Sequence, residues 1–238
     1  AGNQLFIQVV EEAHKRGMEL HAWINPFRIA TAESNQMTVE KVNTLYKAPD
    51  SKEKWKWDWV LSYYTKTKKQ DRDSLVNQIV DPGNPGAREY VVNVMMDIVT
   101  NYDIDGVVMD DYFYAYAGTS NQDQASQDAY YTPNKDKITD QDGDDVTLDD
   151  WRRSNVDNVI KAMYDSIQVV KPWVRFGMGP GGIWSMDKKA AKAYGLTLPS
   201  GIRGFDPYTV LYCNTVEWIK QGWVDYVNPQ IYWSTQVA

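Results

Sequence analysis

Four short runs with strand character, residues 19–25, 106–112, 174–178 and 225–232, each follow closely on a stretch with helical periodicity. That rhythm constrains the fold more than any other feature of the chain. Helix-then-strand units repeated in series require parallel strands joined by helical crossovers. The helices carry their own start and stop signals. Leu5, Val9, Val10 and Ala13 fall on one face at 3.6-residue spacing, and Gly17 ends that segment. Asn84 and Pro85 offer an N-cap followed by proline at the first helical position, ahead of Val91, Met95, Ile98 and Tyr102. Thr147 and Asp150 have the spacing of a capping box before Val156, Ile160, Met163, Ile167 and Val170, and Pro172 stops that helix. A last helix is predicted from about Asp206 to Gln221, stopping at Gly222.

Side chains alternate across a strand, so each run declares two faces. Leu20, Ala22 and Ile24 point one way, His21, Trp23 and Asn25 the other. Gly106, Val108, Asp110 and Tyr112 share a face, and Tyr226, Asn228, Gln230 and Tyr232 stand opposite Val227, Pro229 and Ile231. One face of each strand therefore turns polar toward its C-terminal end. A doubly wound open sheet wants both faces apolar. A barrel whose mouth carries polar ligand groups fits the pattern better. Two inserts leave C-terminal strand ends. Residues 31–80 are rich in Lys and Trp, with hairpin arms expected at 59–64 and 75–80, and residues 117–146 have the composition of a long exposed loop. Loops at that end of a barrel shape its site.

Composition narrows the function. The net charge of −7 supplies no basic stripe, which argues against nucleic acid as a partner. One cysteine, Cys213, leaves no intrachain disulfide framework and no cysteine-based zinc site, and two histidines leave no His-rich metal site. No apolar run approaches the ~18 residues of a membrane span. Aromatic residues reach 13%, many in polar surroundings, which suits a ligand with one apolar face and one wet edge, such as a sugar.

The strongest constellation is residues 102–114, where Asp110 and Asp111 end a hydrophobic strand among aromatics that include Tyr112. Partial desolvation and mutual repulsion would leave one carboxyl protonated near neutral pH, as a general acid in glycoside cleavage requires. Alternation turns Asp110 inward and leaves Asp111 to support it or cap a loop. Asn25 and Arg28 are candidates for hydrogen bonds to sugar hydroxyls or a carboxylate, His21 for the same site or for the core, and Trp23 for stacking. Asn228, Gln230 and Tyr232 suit hydroxyl or N-acetyl groups. The glycine-rich turn at 177–182 lacks the Gly-Lys-Ser/Thr of a phosphate loop and instead allows close backbone approach, with Trp184 as a platform. The acidic turn at 140–145 lacks the ligand order of a calcium loop, and no metal or other cofactor is expected.

The strings HAWINPFR, DPGNP, YDIDGVVMDDYFY, DDWRRSNVDNVI, KPWVRFGMGPGGIW and VDYVNPQIYW, in that order, resemble the glycosyl-hydrolase-like 10 family of bacterial proteins. The resemblance implies an α/β fold of the (β/α)8 TIM-barrel type and a glycosidase cleaving peptidoglycan strands, notably strands freed of stem peptides. It implies an extracytoplasmic setting, periplasmic or cell-surface, with lipid anchoring in some members. The paired aspartates carry onto Asp110 and Asp111, and the binding motifs onto His21, Trp23, Asn25, Arg28, Gln230 and Tyr232. Two departures stand out. Gly179-Pro180-Gly181-Gly182-Ile183-Trp184 replaces a Ser-Pro-Phe-Gly-Ile-Trp pattern, losing a hydroxyl and a ring, and Asn228 adds a polar group. Four strands cannot close an eight-stranded barrel. The expectation is a central part of one such domain, residues 1–238, covering about strands 3–6 with long loops. A second catalytic carboxylate on strand 7, as in many barrel glycosidases, would then belong outside it, and the oligomeric state stays open. The rival readings are a glycan-binding barrel without turnover and a scaffold in an extracellular assembly.

Overall fold

The computed structural model describes residues 2–30, 59–64, 76–115, 122–137 and 145–232. Helix α1 (Gly2–His14) leads into β1 (His21–Ile24). An insert then contributes β2 (Arg28–Ala30), β3 (Val60–Tyr64) and β4 (Val76–Val80). Helix α2 (Pro85–Asn101) runs to β5 (Gly106–Asp110), and α3 (Leu148–Val170) to β6 (Arg175–Gly179). Three short helices, α4 (Lys188–Ala193), α5 (Pro207–Val210) and α6 (Thr215–Gln221), precede β7 (Tyr226–Val227).

Strands β1, β5, β6 and β7 form a parallel four-stranded sheet in that order. Sequential parallel strands with helical crossovers are the arrangement of a (β/α)8-type barrel, and among the described residues the sheet does not close. One face is buried under helices. Val107, Met109, Phe176 and Met178 lie against Val91, Met95 and Val99 of α2 and Val156, Ile160 and Met163 of α3, all within one apolar cluster. The other face carries the residues that alternation turned inward.

The helix signals act as local chemistry dictates. Asn84 accepts from the backbone N–H of Gly86 and Ala87 at the start of α2, with Pro85 at its first position. Thr147 and Asp150 form a reciprocal capping box on α3. The apolar stripe of α1 is set one residue away from the sequence expectation. Phe6 packs edge-on against Tyr102 while Val10 and Ala13 are buried, and Leu5 and Val9 are exposed. The predicted last helix is two helices. Tyr212 has φ +58°, a left-handed conformation that interrupts the helix, and Asn214 starts the second piece. Its stop at Gly222 holds, with φ +68° at the cap.

The described strands of the insert after β1 form a small antiparallel sheet in the order β2-β4-β3. Its hairpin, with Val60 opposite Val80 and Tyr64 opposite Val76, is the one expected from the sequence, and β2 is an addition. Phe27, next to β2, stacks edge-on against Phe113, which meets Trp218 of α6 in the same way. The insert is thus anchored into the core above the C-terminal end of β5. The strand expected over residues 225–232 pairs regularly only at Tyr226 and Val227, then rejoins β6 through Gln230 N–H to Pro180 O (2.8 Å) and a bridge to Gly181. Pro180 and Pro229 each remove a backbone donor from this ladder. Of the acidic turn at 140–145 only Asp145 falls within the described residues.

Candidate active site

Parallel strands place all their C-terminal ends on one side, so the residues ending β1, β5, β6 and β7 gather at one rim. Asp110 is the last residue of β5 and stands opposite Gly179 of β6. Trp23 of β1 donates its indole N–H to Asp110 Oδ1 at 3.0 Å, while the residue remains 62% exposed. Aligning β1 with β5 (Trp23 opposite Val108) brings these two side chains to one face.

Asp111 points the other way, as alternation requires. It is 1% exposed, and its Oδ2 accepts the backbone N–H of Gly181 at 2.7 Å. That bond fixes the glycine-rich turn that follows β6. Across the rim, Gln230 donates through Nε2 to Gly179 O (2.6 Å) and accepts from the Tyr232 hydroxyl (2.7 Å). Tyr232 is otherwise exposed. Asn228, also exposed, is held by its own backbone N–H to Met178 O (2.7 Å). The Arg28 guanidinium lies 3.8 Å from the centre of the Tyr112 ring, a close cation–π pair, and Arg28 is exposed. Asn25 follows β1 directly, and its Nδ2 is a buried donor with no partner.

Two sequence candidates sit elsewhere. His21 begins β1, so it occupies the N-terminal end of the sheet. Its Nδ1 meets the Tyr226 hydroxyl at 2.6 Å and its Nε2 meets Glu19 at 3.3 Å. Gly106 and Gly177 make room for this pair: a Cβ on Gly177 would fall 2.1 Å from Tyr226 Cζ, and one on Gly106 2.4 Å from His21 Nδ1. Glu19 also pairs with Arg175, so this end carries a polar cluster of its own. Trp184 is packed edge-on between Tyr194 and Tyr208, at ring distances of 5.5 and 5.4 Å. It lines a cavity of about 180 Å³ between the glycine-rich turn and α6. Asp105, at the same end as His21, accepts from His14 Nε2 (2.9 Å) and Leu20 N–H (2.7 Å).

A buried polar network beneath the rim had no sequence signal strong enough to single it out. Asp123, in the insert after β5, receives two 2.8 Å bonds from Arg152 of α3, and Arg152 also donates to the Tyr212 hydroxyl (2.9 Å). Nearby, Asp81 accepts from Gly83 N–H (2.7 Å) and from the Ser126 hydroxyl. Burial pushes its carboxyl up to about 6, against the bonds from Ser126 and Gly83. Burial likewise pushes Asp157 up to about 7, although Trp218 of α6 donates to it at 2.6 Å. Among the described residues no group of three or more His, Cys, Asp or Glu could hold a metal ion, and no helix is long and apolar enough to cross a membrane.

Comparison with known proteins yields one family. The sequence profile of the family described as glycosyl hydrolase-like 10 matches residues 1–238. The chain is 37% identical over 229 residues to glycosyl hydrolase YngK of Bacillus subtilis (strain 168), covering 95% of this chain and 38% of that protein. It is 32% identical over 227 residues to glycosyl hydrolase DigH of Escherichia coli (strain K12), covering 94% of this chain and 45% of that protein. The chain thus spans less than half the length of these curated relatives. Among solved structures, α-L-fucosidase isoenzyme 2 from Paenibacillus thiaminolyticus aligns with 79% of this chain and 24% of its own, at 14% identity and a TM-score of 0.44.

Proposed function

The chain belongs to the glycosyl hydrolase-like 10 family, and from that premise we propose that it forms part of a glycoside hydrolase acting on bacterial cell-wall glycan, in particular peptidoglycan strands freed of stem peptides. The single observation that carries the chemistry is a strand-ending carboxylate, Asp110, beside an exposed indole on the polar face of the sheet. Hydrolysis of a glycosidic bond needs a carboxyl group at the anomeric carbon or at the leaving oxygen, and flat apolar surface to hold the ring. Asp110 supplies the first and Trp23 the second.

The remaining rim groups take binding roles. Asn25 Nδ2 is a donor whose burial without a partner costs about 1–3 kcal/mol, a cost that a ligand oxygen would relieve. Arg28, Asn228, Gln230 and Tyr232 offer further donors and acceptors, with Tyr112 orienting Arg28. Asp111 acts through Gly181, shaping the turn rather than meeting the sugar. The extracytoplasmic setting, where the substrate lies, is part of the same proposal.

The substrate is tested by offering the full-length protein two polymers in parallel: intact peptidoglycan and glycan strands from which an amidase has removed the peptides. Products are read by mass. The proposal expects short saccharides from the stripped strands and far fewer from the intact wall. Equal release from both would remove the preference for stripped strands, and release from neither would remove the cell-wall substrate.

A further inference from the structure

We propose that Trp23 is a positioning residue that fixes the orientation of the Asp110 carboxyl group through its indole N–H. This rests on the glycosidase reading above. An indole nitrogen can only donate, so Asp110 Oδ1, 3.0 Å away, must accept. A directional bond of this kind fixes the rotation of the carboxyl group it meets.

The contact follows from strand register. Trp23 pairs with Val108, placing it one inward position below Asp110, and its side chain reaches to that next position. On the other flank Asp110 pairs with Gly179, where no side chain competes; a Cβ there would come within 3.4 Å of the same Oδ1. The carboxylate therefore has one side-chain donor beside it on β1 and bare backbone on β6. Asp111 cannot share the part, because it is buried on the opposite side and bonded to Gly181. The exposed face of Trp23 remains free to stack, so one residue can both carry the sugar and orient the carboxyl group.

The two functions separate in Trp23→Phe, which keeps a ring and loses the N–H. On peptide-free glycan strands, kcat is expected to fall about tenfold with KM within about twofold, since one such bond is worth about 1.4 kcal/mol. An unchanged kcat with a raised KM would make Trp23 a stacking platform only and overturn the inference. If the wild type turns over nothing, the glycosidase reading fails on its own. The Trp23 indole N–H resonance, assigned by its loss in Trp23→Phe, then decides: a shift in Asp110→Ala supports the pairing, and an unmoved resonance refutes it.

Discussion

Replacing Asp123 with alanine removes the doubly bonded carboxylate partner of a buried guanidinium, and the structure sets the cost. Asp123 is fully buried and Arg152 is 3% exposed, and the two share bonds of 2.8 Å from Nε and Nη2. Burial opposes a charged Arg152, yet the hydrogen bonds and charge of Asp123 raise its pKa above the ordinary value. Removing one partner of a buried pair costs ~3–5 kcal/mol, because the other charge is left without compensation. Arg152 keeps the Tyr212 hydroxyl at 2.9 Å and Asp149 at 3.3 Å, which places the loss at the lower end, about 3 kcal/mol. At roughly 2–4 °C per kcal/mol for a domain of this size, the thermal midpoint falls by about 6–12 °C. Reversible urea unfolding followed by circular dichroism gives the free energy, and a thermal scan gives the midpoint. Adding Arg152→Met removes the stranded charge, so the double variant is expected to recover at least about 1 kcal/mol relative to Asp123→Ala alone. A loss below about 1 kcal/mol in the single variant, or no recovery in the double, would refute this reasoning.

Three further expectations follow from the same kind of accounting. Asp81 is held near 6 in the fold against an ordinary 3.8, so the folded state binds the extra proton between those values and stability falls as pH rises from 4 to 7. Relative to wild type, Asp81→Asn should therefore gain about 3 kcal/mol across that window, and a pH-independent difference in urea unfolding would contradict it. Gly177→Ala drives a Cβ to 2.1 Å from Tyr226 Cζ and should cost ~1–3 kcal/mol by displacing the ring from His21. In the Tyr226→Ala background the same substitution should cost little, and thermal scans showing additive losses would count against the packing account. Thr147→Ala breaks the capping box of the 23-residue helix α3 and should cost about 1 kcal/mol, read from the urea midpoint; no change would show that the cap is redundant.

What could be read from the chain in advance was local. Asn84, Pro85, Thr147 and Asp150 announce helix starts because a cap needs only neighbours within three residues. Strand faces were legible because the two-residue period is fixed by backbone geometry, and this sends Asp110 to one side and Asp111 to the other. What stayed hidden depends on distant partners. The Trp23–Asp110 bond joins residues 87 positions apart, and a face assignment does not say which side chains on that face will touch. His21 has the inward face but begins its strand, so the barrel direction removes it from the rim and gives it to Tyr226, 205 positions away. Tyr212 breaks the last helix at φ +58° with no glycine or proline to mark the place. Asp123 lies in an insert that composition describes only as polar, and its role is set by Arg152 arriving from α3.

The central claim is that Asp110 does the chemistry, and the most direct test separates chemistry from binding. Turnover and affinity for peptide-free glycan strands are measured in parallel for wild type and Asp110→Asn in the full-length protein. A group acting directly in bond cleavage contributes ~10²–10⁴-fold to kcat, so the variant should lose at least about a hundredfold in turnover while its dissociation constant changes little. Turnover retained within a few-fold of wild type would contradict the account, whatever the affinity.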